Sequence, residues 1–575
     1  MQKRWTIKQQ VNQETIDQIV HELKVSPLMA KILALRNLTT KETISSYFSP
    51  NLAQLHDPFL MKDLPEAVKR LKKAIENQEK IMIYGDYDVD GTTSVALFLS
   101  ILEPMTSVSF HIPDRHNEGY GISFIGIDKA LEEECTLMIA LDCGIKEIEK
   151  IKYAKSKGLD VIVCDHHTPG EEVPPCLVLN PKQSDCTYPY KELCGCGVGF
   201  KLLQGLFSDM NFKQEDLFDY LDYVAVAIGA DMVPVTGENR VLAHFGLQKL
   251  NENQRTCFAA IAEKSGRALP YNLSNVCFVI APRINAAGRL EHGSKAVDLL
   301  ISPSVNEAMK IAEEIEAVNA QRKNLDSSIT DKALEIIEND TLFESRKSTV
   351  VFHESWHKGV VGIVASRLIE KHYRPTVVLT ENNGKATGSA RSVPGINLYD
   401  ALTSCAHLLE QYGGHAAAAG LTLDINNIAE FSEAFDNYVQ ANIKEVEEVE
   451  EIDIDVELKL EELFVLGEST VKVPRILTMQ EKMEPFGNEN QKPYFLARNV
   501  YASSYRLLKN EHLKLDVMDV DSGITLPAIG FFMRDYEDLV ASGCAFDLVF
   551  SLEVNEWNHQ KTLQLQIRDI RESES

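Results

Sequence analysis

The chain has 575 residues, 44% of them hydrophobic and 25% charged, a balance that fits a soluble protein of about three or four domains and excludes a disordered or membrane-spanning one. Its net charge of −27 speaks against non-specific duplex binding, which draws on Lys and Arg, but leaves room for a local basic groove. No run approaches the roughly 20 apolar residues of a membrane span, the opening MQKRWTIKQQVNQETIDQIV lacks an apolar core with a cleavage site, and the eleven cysteines are scattered and odd in number, so a reducing, cytoplasmic setting with no membrane partner is expected.

Residues 1–40 read as a helical lead-in. From Lys80 short apolar runs alternate with amphipathic segments: IMIYG, TTSVALFLSIL, SVSFHI, TLMIAL, IKEIEKIKYAKSKG and DVIVCD. Strand and helix alternating in this way predict a parallel sheet covered on both faces, in a domain placed at 41–240. A helical connector follows at 241–340, where VNEAMKIAEEIEAVNAQRKNLDSSITDKALEII has apolar residues at three- and four-residue spacing and predicts one long helix. A second α/β domain, 341–455, begins with STVVF and continues through VVGIVASRLIEKH, PTVVLT and GGHAAAAG. The acidic run Glu445 to Glu457 is expected to be a solvated linker or sheet edge. Over 456–575 the segments NVYASSYRLL, HLKLDVMD, ITLPAIGFF, FDLVFSLEVNEW and TLQLQIRDI predict a small all-β domain.

Three predicted strands end in acidic or imidazole groups. IMIYG runs into Asp86, Asp88 and Asp90, TLMIAL into Asp142, and VIVC into Asp165, His166 and His167. Ligands of open parallel sheets bind outside the carboxyl ends of the strands, so these clusters are expected to converge in one crevice. Asp231 ends an apolar, helix-like run just before a proline and can close the same site. So many acids share a pocket only if cations neutralise them. Carboxylates with imidazole suit Mg²⁺ or Mn²⁺, the latter better where His takes part. Two such ions about 3.5–4 Å apart can activate a water and stabilise the leaving oxygen of a phosphodiester. Either DxDxDG or DHH alone reads as a chance string; all of them at successive strand ends do not.

GDYDVDG, LDCG and VCDHH, in that order, resemble the motifs of the DHH phosphoesterase superfamily. PDRHNEGYG, YPYKELCGCGVGFKLL, RINAAGR, WHKGVVGIVASRL, GSARS, GGHAAAAG and PFGNENQKP resemble signatures of its RecJ branch, spread over most of residues 80 to 500. The resemblance implies a parallel-sheet DHH domain, a long connecting helix, an α/β DHHA1 substrate-binding domain and a C-terminal OB-type β-barrel. It implies a Mn²⁺- or Mg²⁺-dependent exonuclease, with two ions, that degrades single-stranded DNA from 5′ to 3′ in repair and recombination. Asp86, Asp88, Asp90, Asp142, His166 and Asp231 are the implied metal ligands. All of these except Asp86, together with His167, are the implied catalytic set. Substrate contacts are implied for Arg115, Tyr120, Arg283 and Arg289, and for Ser389, Arg391, Gly414 and His415 in the second lobe. Arg115 and Arg391 have the planar fork that suits a terminal phosphate. The implied partners are single-stranded DNA, a single-strand-binding protein and a helicase, with the enzyme itself a monomer. The chain departs from the family at Glu489, where PFGxGN has its second Gly, and it stops shortly after the β-domain, where some relatives continue.

Several motifs compete. His353 to His357 fits the zinc-protease pattern HExxH, but it follows a β-branched run and precedes Gly359, so a strand-to-helix loop is expected and metalloprotease is the weaker reading. Cys194 and Cys196, even with Cys164 and Cys186, lack the spacing of a zinc knot and read as plain thiols. GGHAAAAG reads as a flexible turn into a helix or as a backbone that lets a phosphate approach closely. Two other functions stand beside the exonuclease: a short DHH–DHHA1 phosphodiesterase of oligonucleotides or cyclic dinucleotides, from which the β-domain separates this chain, and a non-catalytic DNA- or replisome-binding relative, against which stand the unsubstituted strand-end acids. Phe486, Tyr494, Phe495, Tyr501 and Tyr505 are candidates for base stacking, although most rings in such a domain are core.

Overall fold

A computed structural model of the chain describes residues 3–573 apart from 10, 116, 445–448, 465–472 and 558–559. The first four residues of the acidic run therefore lie outside the described residues. Two compact units result, one built mainly from Asp57–Val233 and Phe245–Glu450, the other from Arg4–His56, Pro234–His244 and Glu451–Ser575. The chain opens with strand β1 (Arg4–Ile7), whose parallel partner arrives only at residue 451.

In the larger unit, β2 (Ile81–Gly85), β3 (Val108–His111), β4 (Leu137–Leu141), β5 (Asp160–Cys164) and β6 (Leu177–Leu179) form an all-parallel sheet in the order β3-β2-β4-β5-β6. Every residue of β2 and β4 is buried, as continuous apolar runs covered on both faces must be. The helix Leu64–Glu76 shows how one face is sealed. It begins with Pro65 in its first turn and buries Leu64, Val68, Leu71 and Ile75 at three- and four-residue spacing. Leu71→Ala would cost about 2–5 kcal/mol. Strand order reverses between β2 and β4, which opens a crevice at their carboxyl ends.

The predicted connecting helix runs from Val305 to Glu338, capped by the Ser304 side chain, which accepts from the Glu307 amide. Beyond it, β7 (Thr349–Phe352), β8 (Thr376–Asn382), β9 (Lys385–Arg391), β10 (Leu409–Gly414) and β11 (Ala418–Asp424) make a mixed sheet in the order β10-β11-β9-β8-β7. Asn383 and Gly384 join β8 to β9 with positive φ at both residues, the geometry a two-residue hairpin turn needs. GGHAAAAG does not lead into a helix. It ends β10 and begins β11, leaving Gly414 at φ +146 where an added Cβ would meet the Ala418 carbonyl.

The smaller unit holds β12 (Glu451–Ile454), β13 (Val456–Glu457), β14 (Phe495–Leu508), β15 (His512–Met518), β16 (Thr525–Gly530), β17 (Phe546–Trp557) and β18 (Gln560–Glu572). Strands β14-β15-β16-β18-β17 close into a five-stranded barrel through the β14–β17 pairing. Residues 1–40 differ from the expected lead-in to the metal domain. Ile19, Met29 and Leu33 of the first two helices share one core with Phe495, Leu515 and Phe546 of the barrel. The first helix is amphipathic and the second is apolar nearly all round, and the barrel supplies the apolar surface that both need.

The PFGNENQKP segment forms a tight turn in this unit, with Gly487 bridged to Asn490 and Glu489 at φ +56. Buried Asn490 donates to the Met483 and Pro485 carbonyls and accepts from the Tyr47 hydroxyl. Glu489 thus occupies a left-handed conformation that glycine adopts at no steric cost. Among the described residues, no helix is long and apolar enough to cross a membrane.

Candidate active site

The carboxyl end of β2 runs directly into the helix Val89–Leu102, and Asp88 caps it by accepting from the Gly91 amide at 3.0 Å. Only glycine fits at position 91, because a Cβ there would lie 2.4 Å from the Asp86 carbonyl oxygen. Asp90 sits in the first turn and accepts from the amides of Gly195 and Cys196, both at 2.7 Å. Those amides begin the helix Gly195–Asp209, whose dipole favours a negative charge at this end. Gly195 also makes room for Asp142, since its Cβ would stand 2.5 Å from an Asp142 carboxylate oxygen.

Asp142 leaves β4 with φ +60, a strained backbone for a residue with a side chain. From β5 comes His166, whose Nε2 lies 3.2 Å from Asp142, 3.6 Å from Asp231 and 4.0 Å from Asp90. Asp231 reaches the cluster from the last turn of the helix Leu221–Asp231. Three groupings have ligand atoms within 4.8 Å of one another: Asp86, Asp88 and Asp142; Asp90, His166 and Asp231; and Asp142, His166 and His167. Asp142 and His166 are shared, so the groupings adjoin and can take two cations.

The electrostatics point the same way. Burial, reinforced by neighbouring carboxylates, pushes Asp86, Asp90 and Asp142 well above the ordinary range, and Asp231 up to about 7. Burial and the charge on His167 hold His166 down to about 3. Among the described residues, buried oxygens of Asp86 and Asp142 and both ring nitrogens of His166 have no hydrogen-bond partner. Divalent cations would satisfy these atoms and relieve the repulsion, which is the fit that Mg²⁺ or Mn²⁺ requires.

Asp165 plays a different part. One of its oxygens accepts from the His166 and His167 amides and from His167 Nδ1 at 2.7 Å, while the other accepts from the Ile145 amide at 2.9 Å. Burial alone would raise its pKa, yet the His167 hydrogen bond and the two imidazoles bring it down to about 2. Asp165 therefore orients His167 and the loop rather than offering itself as a ligand.

His167 opens onto a cleft of about 1150 Å³ between the parallel sheet and the mixed sheet. Its ring stacks on His415 with centroids 6.2 Å apart and bonds to the Tyr120 hydroxyl at 3.1 Å. Arg115, Arg289 and Arg391 line the same cleft with Ser389 and Gly414. Arg115 lies over the Tyr87 ring at 4.5 Å, and Arg391 donates to the Ser389 hydroxyl and the Ala390 carbonyl, both at 2.8 Å. Burial, with repulsion from Arg115 and Arg391, lowers the pKa of Arg289 to about 9. Three guanidinium groups crowded against a Ser- and Gly-lined sheet make a receptor for an anion.

Seven of the eight substrate-contact residues implied by resemblance thus line the cleft. Arg283 does not. It is buried, bonded to Glu316 and the Val279 carbonyl, and it ties its helix to the connecting helix. Sequence reading also missed the Gly195 and Cys196 amides, for which the alternating glycines of GCGVG at a helix start were the available signal. His353 and His357 lie in a loop before the helix Val361–His372, each accepting from a nearby amide. Among the described residues no metal grouping includes them or any cysteine.

Comparison with known proteins finds three family models along the chain. The DHH family N-terminal domain matches residues 80–228, the DHHA1 domain 346–441 and the RecJ OB domain 454–569. The single-stranded-DNA-specific exonuclease RecJ of Bacillus subtilis is 37% identical, over 99% of this chain and 71% of that protein. A crystal structure of RecJ from Thermus thermophilus in complex with Mn²⁺ superposes with a TM-score of 0.84 at 28% identity, covering all of this chain and 80% of that one. The Mg²⁺ complex of the same protein gives 0.79 at 27%, over all of this chain and 79% of that one.

Proposed function

The chain belongs to the RecJ family of DHH phosphoesterases, and we propose that it hydrolyses single-stranded DNA from the 5′ end, with Asp86, Asp88, Asp90, Asp142, His166 and Asp231 holding two Mn²⁺ or Mg²⁺ ions. The observation that carries this reading is the junction of two features: a buried cluster of unsatisfied carboxylates and imidazole, and a three-arginine cleft that begins at His167. When bound, the cations supply an activated water and stabilise the charge of the leaving oxygen. The protein's own groups do the rest. Arg115, Arg289 and Arg391 hold the terminal phosphate, and Ser389 and Gly414 let the strand's backbone approach the sheet. His167, held by Asp165 and Tyr120, faces the scissile phosphate as a hydrogen-bond donor, with His415 stacked behind it.

The 5′ to 3′ polarity is what the resemblance implies, with the 5′-terminal phosphate held in the arginine cleft beside the metal cluster. The closed barrel favours long single strands over cyclic dinucleotides, because such barrels carry extended grooves for oligonucleotides. A single-strand-binding protein and a helicase, both of which deliver unwound strand, are the partners this activity calls for, in a cytoplasmic repair or recombination role for a monomer. The test is to incubate end-labelled single-stranded DNA, duplex DNA and a cyclic dinucleotide with Mn²⁺, Mg²⁺ or EDTA. Mononucleotides released from the single strand alone, and only with metal, are expected. Preferred hydrolysis of the cyclic dinucleotide would overturn the reading.

A further inference from the structure

Of the three cleft arginines, two are tied down by hydrogen bonds. Arg391 donates to the Ser389 hydroxyl and the Ala390 carbonyl, and Arg289 donates to the Gly359 carbonyl at 3.2 Å. Arg115 is held differently. Among the described residues it makes no hydrogen bond and no ion pair, and its half-buried side chain rests on the face of Tyr87. A long, free arginine spreads over many rotamers, and a cation held against a ring face keeps one of them. The mode of holding matters. A carboxylate partner would neutralise the guanidinium and occupy its N–H groups, whereas a ring takes only the flat face and leaves the charge and the in-plane donors for an anion.

Tyr87 is fixed from several sides. It stands between Asp86 and Asp88 beyond the carboxyl end of β2, so its backbone belongs to the loop whose carboxylates can hold a cation. Its carbonyl abuts Gly288, where an added Cβ would come within 2.8 Å of the carbonyl oxygen, and a Cβ on Gly293 would stand 3.5 Å from the Tyr87 Cβ. The helix Ala281–Leu290, which carries Arg289, thus closes on the Tyr87 backbone while Arg115 covers the ring. Burial pushes the phenol up to about 12, so the ring is neutral at ordinary pH. Among the described residues the hydroxyl makes no hydrogen bond, so the surroundings use the ring rather than its polar tip.

We propose that Tyr87 is a positioning residue for the terminal phosphate: its ring, fixed beside Asp86 and Asp88, holds the Arg115 guanidinium where a phosphate next to the metal cluster needs it. The inference rests on the reading that Arg115 binds the strand's 5′ phosphate. Initial rates of the full chain on 5′-phosphorylated and 5′-hydroxyl single strands, taken as a ratio, cancel any general disturbance of the metal cluster. A second readout needs neither metal nor turnover: the rise in unfolding midpoint that inorganic phosphate gives in EDTA. Tyr87→Leu should lower the ratio about 2- to 30-fold and shrink the phosphate response, whereas Tyr87→Phe should keep both. Should Tyr87→Leu not fold, the unbranched and adaptable Tyr87→Met takes its place. Because the ring acts through Arg115, adding Tyr87→Leu to Arg115→Ala should lower the ratio no further. A wild-type ratio in Tyr87→Leu, a loss in Tyr87→Phe, or a double variant in which the two losses multiply would overturn the inference. If Arg115→Ala itself leaves the ratio and the phosphate response unchanged, the end-recognition reading falls and the inference with it. If Arg115→Ala lowers both and Tyr87→Leu neither, the inference alone falls.

Discussion

Removing one arginine from the cleft separates recognition of the strand's end from the chemistry. Arg391 spends one nitrogen on the Ser389 hydroxyl and the Ala390 carbonyl, and Arg115 lies on the Tyr87 ring, so each keeps further N–H groups for a phosphate. A charge-assisted hydrogen bond lost to an anion costs about 1.5–3 kcal/mol, which is about a 10- to 150-fold change in rate ratio. Arg391→Ala and Arg115→Ala should each lower the preference for 5′-phosphorylated over 5′-hydroxyl single strands by that factor. Neither should unfold the protein, because the three cations repel one another in the free cleft, where burial and then that repulsion depress the pKa of Arg289. The assay compares initial rates on the two substrates, labelled at the 3′ end, under matched metal and salt. Inorganic phosphate should also raise the unfolding midpoint of the wild type more than that of either variant. If both variants keep the wild-type ratio, the arginines do not read the terminal phosphate and the end-recognition reasoning fails.

Further outcomes follow from the same geometry. Gly195→Ala places a methyl 2.5 Å from an Asp142 oxygen, so hydrolysis should collapse while circular dichroism stays native. Asp165→Asn sets an amide N–H against the Ile145 N–H or against the donors from His166 and His167, whichever way it turns. The unsatisfied group costs about 1–3 kcal/mol of stability, visible in urea unfolding, and an activity loss of about 10- to 100-fold is expected from the disoriented His167. Glu489→Gly removes a left-handed strain of about 1–2 kcal/mol and adds about 0.5–1 kcal/mol of chain entropy cost, so the full chain should gain up to about 1.5 kcal/mol in a urea melt; a loss would mean the Glu489 side chain stabilises the turn. Apparent Mn²⁺ affinity should fall as pH drops through about 7, since Asp231 must lose its proton to bind a cation. A calorimetric titration that is flat from pH 6 to 8 would contradict that assignment.

The metal cluster was legible because buried parallel strands are unbroken apolar runs, so the acids that follow IMIYG, TLMIAL and VIVC mark strand ends without ambiguity. What those acids rest on was not. The amides that hold Asp90 come from a helix more than 100 residues away, and no local pattern announces that they meet. Within RINAAGR the two arginines looked equivalent. They are six residues apart on one helix, a rotation of about 240°, so Arg289 faces the cleft while Arg283 turns to Glu316. The first two helices showed their apolar residues but gave no hint of which core they complete, since their partners lie beyond residue 455. That placement also alters how the barrel can be tested. A cut near Val456 would strip Ile19, Met29 and Leu33 of their packing, so point substitutions probe strand binding more cleanly than truncation does.

The most direct test of the account compares wild type with Asp142→Ala on a 5′-phosphorylated single strand across a Mn²⁺ titration. Asp142 belongs to two of the three metal groupings and contributes nothing to the sheet's apolar core, so folding should survive its loss. Asp142→Asn, which tolerates the left-handed backbone, serves as a second variant whose fold is secured. The account predicts metal-dependent release of mononucleotides by the wild type, abolished by EDTA, and none above background from either folded variant at any Mn²⁺ concentration. Near-normal Mn²⁺-dependent turnover by Asp142→Ala would contradict it.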